Sequence, residues 1–274
     1  MNSILNSFIV ICVVVFTSCT KVIDIDLNSS DPQLIVEAKI TDDATQKAEV
    51  RLNQSVNFDQ SNTFPIVKNA FVTILDQTDN VTDTLKETGA GGVYQSLKLT
   101  GKTGHTYLLT VKTGSKTLTS MATIPRKVAL TDIEMRVQSL FGNTSYATIP
   151  KFVDPKGIGD NYRFILSING KLKNDIAVIN DELSDGAPNG RPIFRGAQSD
   201  DTKEGFLKVG DTIQLEMQCI DKGVYDYFNT LASGGGGGPG GSTTPANPVT
   251  NVKGEGVSGY FTAHTTQIKS VVIK

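Results

Sequence analysis

The amino-acid sequence predicts a mostly β protein made of two β-sandwich domains, and three observations support this fold class. Short stretches alternate polar and apolar side chains between turn residues, which is typical of half-buried strands. Thr, Ser, Asn, Asp and Gly are abundant, whereas long helical patterns are scarce, and this balance favours β structure. The length of 274 residues is enough for one or two domains of about 100–200 residues each.

The first domain is predicted over residues 33–125. Residues 34–40 form its opening strand, and residues 48–54 alternate so that Val50 and Leu52 point inward. Pro125 ends the unit because a proline cannot donate a hydrogen bond within a central ladder. Several short strands separated by turns predict a sandwich, Ig-like in its architecture. The remaining predicted strands cover residues 70–75, 81–88, 93–94, 107–111 and 117–123.

The second, β-rich domain is predicted over residues 126–274. Residues 162–168 alternate, with Tyr162, Phe164 and Leu166 on one face. One helix is predicted near residues 222–233, where apolar side chains recur at helical spacing. Residues 233–246 are rich in glycine and are predicted to form a flexible loop, because they offer little apolar surface to bury. The other predicted strands cover residues 130–137, 176–179, 212–220, 260–263 and 268–273.

The N-terminus resembles the export signal of a lipoprotein. Residues 1–18 contain no charged side chain, and the apolar run over residues 8–16 is shorter than the roughly 20 residues needed to span a bilayer. The junction Phe-Thr-Ser-Cys at residues 16–19 resembles the lipobox of bacterial lipoproteins. We predict a signal peptide over residues 1–18, a lipidated Cys19 with a polar tether over residues 19–32, and membrane attachment through that lipid. The alternative is a buried N-terminal strand that ends in a chance cysteine.

Composition and motifs argue against several classes of function. The formal net charge is −2 and no block of Lys and Arg occurs, so we expect no nucleic-acid binding. His105 and His264 lie in no metal-binding motif, and we name no catalytic residue and expect no metal site and no cofactor. The acidic residues between Asp154 and Asp185 are predicted to be solvated loop carboxylates rather than a calcium site. Cys219 is predicted to be a packed thiol within a strand.

A long connection after residue 180 is the candidate binding loop. Arg191, Phe194 and Arg195 place two guanidinium groups around apolar side chains within it. Long loops in compact domains are usually functional or disordered. Arginines in such a loop suit a carboxylate-bearing ligand or a partner surface. The alternative is a mobile loop without a function in binding.

Several segments along the chain together resemble one family. They are LIVEAKIT at residues 34–41, VKNAFVTI at 67–74, GHTYLLTV at 104–111, FVDPKG at 152–157 with NYRF at 161–164, and NP at 247–248 with GVSGYF at 256–261. The family is the domain-of-unknown-function 4249 family (DUF4249), which comprises lipoproteins of Bacteroidota. The resemblance covers nearly all of the chain after the predicted signal peptide.

This resemblance implies an outer-membrane lipoprotein, commonly encoded beside a TonB-dependent transporter, and it supplies no catalytic residue. It also implies that the first domain is similar to transthyretin-like and carboxypeptidase-regulatory sandwiches. Within the motifs, Gly104 and Gly157 are expected in turns, Tyr107 is expected to tie a loop to the sandwich as in a tyrosine corner, and Gly259 is expected to let backbone pass closely.

We therefore expect a lipid-anchored accessory protein that binds a ligand or partner at the outer membrane, with a TonB-dependent transporter as the candidate partner. A hydrolase acting on glycan or peptide is one alternative, and a structural surface protein such as an adhesin or pilus-like subunit is another. Thr84 and Thr212 each follow an aspartate and precede an apolar residue, which resembles the O-glycosylation sequon of exported Bacteroidota proteins. Thr84 is the preferred candidate, because Thr212 is expected to enter a strand.

Overall fold

A computed structural model describes residues 31–57, 63–89, 91–140, 143–197, 207, 209–234 and 247–274. These residues form a mostly β structure, as the sequence predicts, with 18 strands and one helix among the described ranges. The predicted signal peptide, Cys19, most of the tether and the glycine-rich residues 235–246 lie outside them. The elements are β1 (Leu34–Thr41), β2 (Glu49–Gln54), β3 (Phe71–Asp76), β4 (Val81–Thr84), β5 (Lys86–Glu87), β6 (Val93–Gln95), β7 (Thr106–Thr113), β8 (Lys116–Thr123), β9 (Asp132–Leu140), β10 (Asn143–Lys151), β11 (Asn161–Ile168), β12 (Lys171–Leu172), β13 (Ala177–Asn180), β14 (Phe194–Ala197), β15 (Thr212–Ile220), α1 (Lys222–Gly234), β16 (Val252–Lys253), β17 (Val257–His264) and β18 (Gln267–Val272).

Two five-stranded sheets pack face to face in the first unit. Their strand orders are β17-β1-β2-β6-β5 and β16-β8-β7-β3-β4. Inward side chains of both sheets form one core, in which Val50 and Leu52 are fully buried as predicted. Tyr107 is fully buried too, and its hydroxyl accepts a hydrogen bond from the N–H of Lys102 at 2.7 Å. This bond, with Gly104 at a φ of 84° in the same turn, confirms the expected tyrosine-corner arrangement.

Two further sheets form the second unit. One contains β12-β11-β15-β18 with β13 also paired to β11, and the other has the order β14-β10-β9. Tyr162, Phe164 and Leu166 point into the core that these sheets share, which confirms their predicted face.

Cys219 is buried in β15, as predicted, and its Sγ accepts the N–H of Val128 at 3.4 Å. Burial raises the pKa of this thiol, so it is a packing residue rather than a reactive one.

Two strands near the end of the described chain, β16 and β17, complete the first sandwich rather than the second. β17 pairs in parallel with β1 over its full length, from Val257 opposite Leu34 to His264 opposite Thr41. β16 pairs with β8 in the other sheet. The sequence prediction placed residues 252–264 in the second domain, but β1 has an otherwise unpaired edge that accepts β17. The division at residue 125 as a boundary between independent folding units stays a prediction.

Gly259 makes the pairing of β1 with β17 possible. Its φ is 110°, and a Cβ at this position would lie 2.0 Å from the carbonyl oxygen of Val36, so a larger residue would push the strands apart. The outer edge of β17 is covered by a side chain. Asn251 donates to the carbonyl of Phe261 at 2.8 Å and accepts its N–H at 2.9 Å, which blocks pairing with another strand there.

Helix α1 connects the two units. Asp221 caps it, because one carboxylate oxygen accepts the N–H of Val224 at 3.0 Å. The other oxygen accepts the N–H of Thr123 at 3.2 Å, at the end of β8 in the first sandwich. Further along the helix, Phe228 packs against Tyr260 of β17 with ring centroids 4.9 Å apart. The helix predicted from the sequence therefore holds the second unit against the first.

Candidate binding surface on a loop pair

Two connections of the second unit lie against each other, and we call residues 153–160 and 181–191 the loop pair. The first connects β10 to β11, and the second follows β13. Backbone hydrogen bonds join them, from the N–H of Asp154 to the carbonyl of Ala187 at 3.0 Å and from Asp181 to Asp160 at 3.2 Å. The long connection predicted after residue 180 is thus fixed over its first half by a neighbouring loop.

Carboxylates reinforce the contact between the two loops. Asp181 accepts the N–H groups of Gly159 and Asp160 at 2.8 and 3.0 Å. Asp185 accepts the N–H of Gly157 at 2.6 Å. Gly157 has a φ of 110°, which confirms the expected turn there and lets its N–H face the second loop. Charged acceptors bind N–H groups more strongly than neutral ones do, so these bonds fix the shape of the loop pair.

Asp154 adds a third carboxylate below the loop pair. It accepts the N–H of Gly186 at 3.2 Å and the hydroxyl of Tyr162, whose pKa is raised chiefly by burial. The side chains of Asp154 and Asp181 are 2% and 1% exposed, so the prediction of solvated carboxylates is wrong for these two. Oxygens of Asp154, Asp181 and Asp185 lie within 4.8 Å of one another. Calcium binds oxygen ligands of this kind, and each of the three carboxylates also accepts at least one hydrogen bond.

Arg126 follows β8 of the first sandwich and donates hydrogen bonds to the first loop of the loop pair, residues 153–160. Its Nε donates to Asp160 at 3.0 Å, and its Nη2 donates to the carbonyls of Pro155 and Gly157 at 3.2 and 3.3 Å. One planar guanidinium therefore contacts both ends of a tight backbone turn. Nothing in the sequence near Arg126 indicated this function, because its partners lie about 30 positions later.

The three predicted binding residues are not equivalent in the structure. Arg191 is exposed on the loop pair, and its Nη2 donates to the carbonyl of Asn180 at 3.1 Å. Phe194 belongs to β14 and is buried in the second core, so we correct its assignment from ligand contact to core residue. Arg195 lies in β14 opposite Ala147, and its side chain lies outside the described part of the structure. Only Arg191 is shown on an accessible surface.

Large aliphatic side chains project from the loop pair. Leu183 is 88% exposed and Ile158 is 72% exposed. Val153 is exposed as well. Single exposed aliphatic residues are common on protein surfaces, but these sit on two adjoining loops whose backbones are fixed by buried carboxylates. The combination favours contact with an apolar surface of a partner, with Arg191 as a charged neighbour.

A histidine and a carboxylate also meet in the first sandwich. Nδ1 of His105 lies 2.9 Å from Asp76, and the same carboxylate accepts the N–H groups of Thr78 and Asp79 at 3.0 and 3.1 Å. Among the described residues, no serine or threonine hydroxyl is hydrogen-bonded to this imidazole. The pair therefore stabilises the turn between β3 and β4 and supplies no acyl-transfer triad within the described part of the chain.

The two candidate glycosylation sites lie in strands. Thr84 is half-buried in β4, and Thr212 is exposed at the start of β15. Exposure thus favours Thr212, although the sequence favoured Thr84. The aspartate before Thr84 has a structural function: Asp83 is buried, and one of its oxygens accepts the N–H groups of residues 97, 98 and 99 at 3.0, 2.9 and 3.0 Å. Glycosylation of either threonine stays a prediction.

Comparison with known proteins identifies the family. A family model described as "Domain of unknown function (DUF4249)" matches residues 20–270. The chain belongs to this family. Among solved structures, the DUF4249 chain is similar to a two fibronectin type-III domain segment from chicken tenascin, at 11% identity over 69% of this chain and 91% of that chain, with a TM-score of 0.21. No curated protein sequence matches it. None of the described residues forms a helix that is both long and apolar enough to cross a membrane.

Proposed function

We propose that this DUF4249 protein is an outer-membrane lipoprotein of Bacteroidota that binds a partner through the loop pair. Lipid on Cys19 anchors it, and a TonB-dependent transporter of the same membrane is the proposed partner. The protein works by binding rather than by catalysis. Support comes from the lipobox-like residues 16–19, from the family resemblance, and from the exposed apolar side chains on the loop pair.

The observation that carries the proposal is the exposure of Leu183 on a backbone that is already fixed. Leu183 lies between Asp181 and Asp185, whose carboxylates accept N–H groups of the facing loop. Such a loop loses little conformational freedom when a partner binds, so more of the contact energy is available for affinity. Removing an aliphatic side chain from water on contact is itself favourable.

The test is co-purification of the transporter with the tagged lipoprotein from solubilised outer membranes. We expect the double variant Leu183→Asp with Ile158→Asp to recover at least about tenfold less transporter, because charges would have to be buried at the centre of the contact. The matched control is Val209→Asp, which changes another exposed aliphatic residue outside the loop pair. Equal recovery with the double variant and with the control contradicts the proposed surface.

The anchor has a separate test. We expect Cys19→Ala to leave the protein without lipid, because the thiol and the new amino group of this residue are the predicted acylation sites. Metabolic labelling with a palmitate analogue measures the attachment directly. Persistent labelling of the Cys19→Ala variant contradicts the anchor, whereas the result with the loop-pair variants is independent of it.

A further inference from the structure

One end of the first sandwich is where the chain enters from the predicted tether. Leu34 at the start of β1 pairs with Gln54 at the end of β2, and the N–H of Gln54 donates to the carbonyl of Pro65 at 2.8 Å. In the other sheet, β3 begins at this end with Phe71 opposite Lys112. We call this region, residues 31–34, 54–57, 63–71 and 112–117, the entry end. A small cleft between the two sheets opens there and is lined by Pro32, Leu34, Gln54, Val67 and residues 113–116.

The entry end exposes aromatic and aliphatic side chains. Phe64, Ile66 and Phe71 are each about half exposed, and Phe71 reaches 53%. Two phenylalanines and an isoleucine are thus exposed at the same end of a small sandwich, and clustered exposed apolar groups commonly mark a site of interaction. Within the described part of the chain, no residue of the second unit is hydrogen-bonded to these three.

Lysines are exposed at the same end of the sandwich. Lys68, Lys112 and Lys116 are exposed at the entry end, and their long aliphatic stems can lie along apolar groups while the ammonium groups stay in water. Acidic residues are present as well, namely Asp31, Glu87 and the exposed Glu255 beside Gly256, but Glu87 accepts the N–H groups of Asn69 and Gly92. Aromatic rings flanked by lysines are typical of surfaces that lie at the headgroup level of a bilayer.

The length of the predicted tether limits how far the entry end can lie from the lipid on Cys19. Residues 20–31 separate Cys19 from the sandwich, and twelve residues span at most about 40 Å even when fully extended. A lipid on Cys19 would therefore keep the entry end close to the headgroups and raise its effective concentration there. Weak apolar contacts suffice for docking under that condition, because association has already occurred through the lipid.

We propose that the entry end is a membrane-docking surface, and that Phe64, Ile66 and Phe71 insert into the headgroup region of the phospholipid bilayer that holds the lipid anchor. This inference rests on the proposed lipid anchor and goes beyond it, because an anchor alone leaves the body of the protein free to take any orientation. Docking orients the first sandwich so that β3 runs from Phe71 away from the membrane.

The chain contains no tryptophan, so the fluorescence of a single introduced tryptophan reports on its own position alone. The variants are Phe64→Trp and Phe71→Trp in the mature lipidated protein, reconstituted in phosphatidylcholine vesicles with brominated or ordinary acyl chains. The matched control is Val81→Trp. Val81 is 50% exposed, much like Phe71, and lies at the other end of the β3–β4 hairpin, opposite Asp76.

We expect brominated lipid to reduce the fluorescence of the Phe64→Trp and Phe71→Trp variants at least about twofold, because aromatic side chains in the interface approach the acyl chains. The Val81→Trp variant should be unaffected, and unfolding curves should show all three variants folded. Vesicle flotation and the mass of the Cys19 peptide are measured on the same samples. Flotation of a lipidated protein without selective quenching overturns the docking surface and leaves the anchor intact. A protein without lipid overturns both.

Discussion

The carboxylate of Asp83 holds the turn after β6, and its removal measures how much that turn stabilises the first sandwich. One oxygen accepts three consecutive N–H groups, those of Leu97, Lys98 and Leu99. The N–H of Leu99 is buried, and leaving a buried donor without an acceptor costs about 1–3 kcal/mol. The N–H groups of Leu97 and Lys98 are only partly buried, so water can replace part of the hydrogen bonding that they lose. We expect Asp83→Ala to lower the free energy of unfolding by about 3 kcal/mol.

The assay is urea unfolding followed by circular dichroism, with the slope of the transition as a check on two-state behaviour. Asp83→Asn keeps an acceptor oxygen but loses the charge, so about half of the destabilisation should remain. Thr84→Ala is a control for any sugar on the neighbouring residue and should be close to neutral. A loss below about 1 kcal/mol in Asp83→Ala, with an unchanged slope, would refute the assigned function of this carboxylate.

Three further predictions concern other parts of the fold. Burial lowers the pKa of His264 to about 3, so only the unfolded chain takes up a proton as the pH falls below about 6.5, and stability should drop by about 2 kcal/mol between pH 7 and pH 5. His264→Gln should remove this part of the pH dependence in urea unfolding, and an identical pH profile would contradict it. Gly259→Ala should cost about 3 kcal/mol or more, because its Cβ would meet the carbonyl of Val36; an unchanged thermal midpoint would count against the close approach. An intact-mass spectrum should show sugar on Thr84 or Thr212, and a mass of polypeptide plus lipid alone excludes it.

Sequence reasoning located most strands because a half-buried strand leaves a pattern of period two. The pattern at residues 260–263 indicated a strand, but the same pattern fits any sheet with one buried face. It therefore could not show that β17 pairs with β1 in the first sandwich. β10 was missed, since residues 143–151 combine several hydroxyl side chains with Pro150 and show no regular alternation.

The error at Phe194 follows from the one at β10. β14 pairs only with β10 among the described strands, so without β10 its residues resembled an irregular loop. The carboxylates of the loop pair were misread for a different reason. An aspartate in a polar, glycine-rich stretch is usually solvated, and burial of Asp181 depends on N–H groups that Gly159 and Asp160 supply from another loop. The residue pattern within one segment gives no indication of a hydrogen bond to a different loop.

The parallel pairing of β1 with β17 also sets the order in which the protein can fold. β1 is the first strand of the sandwich along the chain, and the loop closed by its pairing with β17 includes every described strand of the second unit except β18. Contacts between such distant parts of a chain make folding slow. Until residues 257–264 emerge, the N–H and C=O groups along one edge of β1 stay unpaired and open to association with other chains. We therefore expect the first sandwich to complete its folding only after residues 257–264 have been synthesised and have paired with β1.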